Sequence, residues 1–177
     1  MNKKIEKKKG FTLVELVIVL AVLVIAAGMA ITFSTMMHGA QSVSNARYEA
    51  LQNVRTAESL IEGFIENNAG NATEVTFENN TFLFKNDDNV IAKFNFFNSN
   101  VVKILMITVG NDNPVQMQVE HIENISFEVV NANGDVCTNE GDKIGITTDT
   151  LYYCTIEYSV AETTYTYTFC VNPYVGE

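Results

Sequence analysis

A chain of 177 residues, 47% hydrophobic and 10% aromatic, has the length of one domain and a composition that excludes a disordered chain. Its net charge of −10 is unevenly spread, because Lys3, Lys4, Lys7, Lys8 and Lys9 stand against Glu6 in the first nine residues; that balance of +4 leaves −14 for the remainder. A body so acidic, with no basic patch after residue 10, speaks against direct nucleic-acid binding, which needs Lys and Arg to neutralise phosphates.

The first predicted element follows the lysines. From Leu16 to Met37 there are 22 residues without a charge. At ~1.5 Å per helical residue this run crosses a hydrocarbon core of ~30 Å. Positive charge on its N-terminal flank places that end in the cytoplasm and the rest of the chain outside. A cleaved secretory signal has an apolar core of only ~7–15 residues, so this run reads as a single membrane span. Glu15 stands at its beginning. An ionised carboxylate in lipid costs ~2.5–3.5 kcal/mol, so it needs a partner or a purpose.

The composite "KKKGFTLVELVIVL" joins a basic leader, Gly10, Phe11, Thr12, Leu13, Val14, Glu15 and uninterrupted aliphatics. It resembles the class III signal shared by type IV prepilins, secretion pseudopilins and competence pseudopilins. The resemblance implies that a prepilin peptidase cuts between Gly10 and Phe11 on the cytoplasmic side and methylates the new amino group of Phe11. Glycine suits the cut because a protease must approach the backbone closely there. The resemblance also makes Glu15, with Thr12, the assembly and register position. Glu15 would meet the α-amino cation of its own or, as the family favours, an adjacent subunit, two charges becoming tolerable in lipid by pairing.

The helix is expected to continue through "HGAQSVSNARYEALQNVRTAESLIEGFIENNAG". Ala50, Val54, Ala57, Ile61 and Phe64 recur at spacings of four and three, flanked by Leu51, Leu60 and Ile65, and draw one apolar stripe. Glu58, Glu62 and Glu66 repel one another at i,i+4 and read as a solvated face. Asn67, Asn68 and Gly70 supply the stop. One helix of about 55 residues results. It holds no proline, since only Pro114 and Pro173 occur, which leaves Gly28 and Gly39 as its weak points.

From Glu74 the apolar period changes to two. "EVTFE", "TFLFK", "VIAKFNFF", "VVKILMITV", "VQMQVEHIENISFEVV", "LYYCTIEYSV" and "TYTYTFCV" read as strands, and the Asn-, Asp- and Gly-rich segments between them as turns. The expected fold is α+β and type IV pilin-like: a long N-terminal helix packed on a meandering antiparallel sheet. The segments are a leader at 1–10 that is removed, a membrane and polymerisation helix at 11–37, its soluble half at 38–70 and an extracytoplasmic β-rich head at 71–177. The order of helix, hairpins, "HIENISFEVV" and a closing strand pair also resembles minor pilins of the PilW type and J-type minor pseudopilins.

Cys137, Cys154 and Cys170 lie in the part expected outside the membrane, where disulfides persist. Aligning the apolar faces of the last two strands through a four-residue "AETT" loop pairs Val160 with Tyr165 and Cys170 with Thr155, on the reverse face from Cys154. Cys154 is therefore expected buried and free, or bonded to Cys137. No metal and no cofactor are expected: His38 and His121 lie far apart in sequence, no Cys pair has zinc spacing, and residues 131–142 depart from EF-hand spacing and read as a solvated turn. There is no nucleophile elbow, P-loop or dinucleotide motif, and the chain reads as a structural subunit rather than an enzyme.

The function expected is that of a pilus or related filament subunit, minor in rank, held in the cytoplasmic membrane as a prepilin and displayed in a periplasmic or extracellular filament. Its partners by resemblance are the prepilin peptidase, other pilin subunits, and an assembly platform with its ATPase. Two alternatives remain: a pseudopilin of a type II secretion or competence DNA-uptake system, and a tip-displayed adhesin, for which the tyrosines of "TYTYTFC" are the local hint.

Overall fold

The computed structural model describes residues 12–99 and 102–174. The first element, α1, is one α-helix over Leu13–Ala69, 57 residues long. Ten strands follow: β1 (Glu74–Glu78), β2 (Thr81–Asn86), β3 (Asn89–Asn98), β4 (Lys103–Val109), β5 (Val115–Gln118), β6 (Ile122–Val130), β7 (Val136–Cys137), β8 (Lys143–Gly145), β9 (Leu151–Val160) and β10 (Thr163–Val171). The chain divides into two compact units at Ser44 and Asn45.

In the first unit, residues 12–44 are exposed throughout. The helix passes Gly28 and Gly39 unbroken, and the hydroxyls of Thr32 and Ser42 donate to the carbonyls of those two glycines, 2.9 Å in each case. Such back-bonding lets a hydroxyl sit on an apolar helix with its donor satisfied. It is long and apolar enough to cross a membrane.

In the second unit, the expected stripe is the buried face of α1: Ala50, Val54, Ala57, Ile61, Phe64 and Ile65 are all buried. Leu51, expected to flank it, is 41% exposed. The helix ends at Ala69, where the amides of Asn67 and Asn68 donate to the carbonyls of Gly63 and Phe64.

The strands make two sheets where the alternation suggested one. The first has the order β5-β4-β3-β2-β1-β8 and the second β10-β9-β6-β7. The physical reason lies in the run expected as a single strand over residues 115–130. His121 adopts a left-handed backbone with φ 66°, which no strand tolerates, so the chain turns there and changes sheet. Before it, the Val119 N–H still bonds the Lys103 carbonyl beside β4; at the break, the His121 carbonyl accepts from the Ser159 N–H of β9. Glu123, in the bulge that follows, joins the sheets, because its carboxylate accepts from Lys103 on β4 and from Ser159 on β9. Those donors hold its carboxyl below the usual carboxylate range, Lys103 first.

One core unites the layers. Phe64 of α1 meets Phe84 edge-on at 5.3 Å between ring centroids, and Phe127 of the second sheet meets Phe82 and Phe94 of the first at 4.9 and 4.5 Å. Edge-to-face contacts of this kind add ~0.5–1.5 kcal/mol beyond burial. Tyr152 stacks on Phe84 at 5.8 Å, yet its hydroxyl is buried without a hydrogen-bond partner. An unpaired buried hydroxyl costs ~1–3 kcal/mol. Tyr152→Phe is therefore expected to stabilise the head by about 1 kcal/mol, read as a higher midpoint in chemical denaturation with an unchanged slope.

The last hairpin corrects the expected register while keeping its parity. Ala161 and Glu162 both have positive φ, 46° and 69°, so the loop is a two-residue turn matched to strand twist rather than a four-residue one. Thr163 pairs with Val160, and Cys170 faces Tyr153 while Cys154 faces Phe169. A shift of two residues leaves every side chain on its expected face. Cys154 is buried and Cys170 exposed.

All three cysteines are free thiols, and no bond joins Cys137 to Cys154. β6 lies between them: Phe127 faces Cys154 on one side, and its neighbour-but-one Val129 faces Cys137 on the other. Two strand spacings of ~4.8 Å separate the cysteines beyond the ~7 Å that a disulfide can bridge. Burial pushes the Cys137 thiol up to about 11 and the Cys154 thiol higher still, so both are inert small core residues.

Candidate functional site

The residues singled out at the N-terminus divide at the edge of the described region. Gly10 and Phe11, expected to flank the cut, and the leader at 1–10 lie outside the described residues. Thr12 and Glu15 lie inside it and touch. The Thr12 N–H and hydroxyl both donate to Oε2 of Glu15, at 2.9 and 2.8 Å, and the Glu15 N–H donates to Oγ1 of Thr12 at 3.3 Å. The Leu16 N–H bonds the Thr12 carbonyl at 3.2 Å, which starts the α-helical ladder.

This is a reciprocal capping box. Each side chain satisfies a backbone N–H that the first turn would otherwise leave unpaired. In water such a cap is a convenience worth ~1 kcal/mol. Beside lipid it matters more, because an unsatisfied amide there has no solvent to turn to. Negative charge on the first turn also meets the positive end of the helix dipole. The acid in the apolar run thus has a local partner in Thr12. The signal, Thr-x-x-Glu before an apolar run, stands in the sequence. Both donors from Thr12 use Oε2, and among the described residues Oε1 accepts nothing.

The wet face expected on the second half of the helix needs one correction. Glu58 is only 14% exposed at its side chain. Its Oε1 accepts from the Tyr167 hydroxyl of β10 at 2.6 Å, its Oε2 pairs with Arg55 at 2.9 Å, and the Arg55 guanidinium lies 5.2 Å over the Tyr167 ring. The hydrogen bond to Glu58 pushes the Tyr167 hydroxyl above its ordinary pKa. The i,i+4 spacing of the acids carries no sign of this, since the partner is 109 residues away. Tyr165, the other tyrosine of the hinted patch, stacks on Tyr158 at 5.5 Å and is 40% exposed.

Residues 131–142 are tied into turns. Oδ1 of Asn131 accepts from the N–H groups of Asn133 and Asp135, and Oδ2 of Asp142 from those of Thr138 and Asn139. The backbone N–H groups hold the Asp142 carboxyl below its usual range. Among the described residues no group of three or more His, Cys, Asp or Glu side chains is placed to hold a metal.

The prokaryotic N-terminal methylation motif matches residues 6–31. No curated protein and no solved structure matches the chain. The motif, the exposed apolar helix it opens and the antiparallel sheets that follow support a type IV pilin-like or pseudopilin subunit, a class that serves structure and not catalysis. The chain thus carries the class III signal of the prepilin and pseudopilin family, which implies membrane anchoring as a prepilin, processing by a prepilin peptidase and assembly with other pilins.

Proposed function

We propose that this chain is a minor subunit of a type IV pilus or related filament. The capped Glu15 at the start of an apolar helix that is exposed over residues 12–44 carries the reading. Residues 13–44 have no partner surface within the described unit, and exposed aliphatics on that scale require lipid or other helices. Removal of the leader at 1–10 leaves Phe11 as the methylated N-terminus. Residues 11–37 span the membrane and later the filament core, residues 38–70 carry the helix into the head, and residues 71–177 complete the head outside the cytoplasm. Oε2 of Glu15 keeps the helix capped while Oε1 is open to the α-amino group of Phe11 on an adjacent subunit. One carboxylate thereby serves the helix and the register. The minor rank is supported by a membrane half without proline and by unlike strands in the head.

The test is mechanical shearing of surface filaments from cells that express the chain at its native level, followed by quantitative peptide mass spectrometry. The chain is expected in the sheared fraction at well below the abundance of the principal subunit. Its confinement to the membrane fraction while filaments are shed would overturn the reading.

A further inference from the structure

The second sheet has an open inner edge. β7 pairs with β6 only at Val129 and Val130. Upstream of that contact, the Thr138 hydroxyl bonds the Phe127 carbonyl at 2.9 Å from the side opposite β9, so Phe127 directs its main-chain groups to the open side. In a strand, alternate residues present N–H and C=O to the same side, which places those of Ile125 there as well. Among the described residues no strand covers the Ile125 N–H and C=O or the Phe127 N–H on that side.

Two cavities flank this edge, one on each face of the missing strand. On the inner face an open cavity of about 180 Å³ is lined by five phenylalanines, Phe127 among them, and by the polar residues Asn80, Asn124, Ser126 and Thr138. By size it has room for one aromatic ring, since ~150 Å³ is enough for benzene. On the outer face a second cavity, about 240 Å³, is lined by Ser126, Glu128, Thr138, Tyr153, Thr155 and Thr168. No lysine or arginine lines either cavity, and the Glu128 carboxylate has no hydrogen bond or ion pair among the described residues.

The geometry points to an extended strand of a different protein, carrying an aromatic residue next to a lysine, that adds to β6 at Ile125. An antiparallel strand would place one residue opposite Ile125, exchanging both main-chain hydrogen bonds with it. That residue's side chain falls on the same face as Ile125, which is buried, and so enters the phenylalanine-walled cavity. Its neighbours fall on the other face, beside Ser126 and Glu128, where a lysine meets an unpaired carboxylate. A second copy of this chain is disfavoured as occupant: its segments Phe84-Lys85 and Lys93-Phe94 lie in β2 and β3, which are already paired on both sides.

The probe is the fluorescein-labelled, amidated peptide Thr-Lys-Phe-Thr-Thr, titrated by fluorescence polarisation against the full chain in lipid nanodiscs, with empty nanodiscs subtracted. Saturable binding is expected. Methylating the Phe nitrogen removes one main-chain donor and is expected to weaken binding about tenfold, as is Phe→Gly in the peptide. The protein variant Glu128→Gln is expected to weaken it about threefold, an effect that fades at high salt. Absence of saturable binding would overturn the proposal, and so would equal binding of the N-methylated peptide, which would mean a ring is bound without a strand.

Discussion

Glu15→Ala is expected to yield a chain that is inserted and processed normally yet falls at least tenfold in sheared filaments. The substitution removes two things at once: the acceptor of the helix cap and the charge. Loss of the cap costs ~1 kcal/mol of helix start. On the proposed pairing, loss of the charge also leaves the α-amino cation of a neighbouring subunit without its partner in lipid, a cost of several kcal/mol. As ~1.4 kcal/mol is a factor of ten, the charge decides the outcome. Glu15→Gln separates the two effects, because an amide oxygen still accepts from Thr12 and glutamine suits a capping box as well as glutamate does. The account predicts that Glu15→Gln fails to assemble as Glu15→Ala does, whereas Thr12→Ala assembles at a modestly reduced level. If Glu15→Gln assembles like the native chain, Glu15 is a cap and nothing more.

Ile61→Ala is expected to destabilise the head by about 3 kcal/mol. Ile61 is completely buried on the helix stripe and belongs to the hydrophobic core. Removing its branched side chain leaves a cavity in a close-packed core that relaxes only partly around it. A domain of this size has ~5–15 kcal/mol in all, so the loss is a large fraction. Chemical denaturation in lipid nanodiscs, followed by tyrosine fluorescence, measures it. Leu51→Ala, at a position with 41% exposure, is expected to change stability by less than about 0.5 kcal/mol.

Where a property depends on local period, the sequence was sufficient. The 3.6-residue stripe from Ala50 to Phe64 is the buried face of α1, and the two-residue alternation around Cys154 put each side chain of the last hairpin on its true face although the register was off by two. Parity survives an error in loop length because it depends only on whether the shift is even. Properties that depend on distant partners were not legible. Glu58 looked like one of three solvated acids until Tyr167 was brought to it from β10. The division into two sheets turns on one left-handed residue, His121, inside a run whose alternation continues on both sides of it. β7 and β8, of two and three residues, are too short to show a period. The capping box is the opposite case: Thr12 and Glu15 have the spacing the motif requires, and the signal was open to reading.

The central claim is that residues 1–10 are a leader and that the working protein starts at Phe11. Intact-mass measurement of the chain purified from cells with and without their prepilin peptidase tests it most directly. The account predicts a mass for a chain that begins at N-methylated Phe11 when the peptidase is present, and the full-length mass when it is absent. The full-length mass in both would contradict it and leave the N-terminal helix a simple membrane anchor.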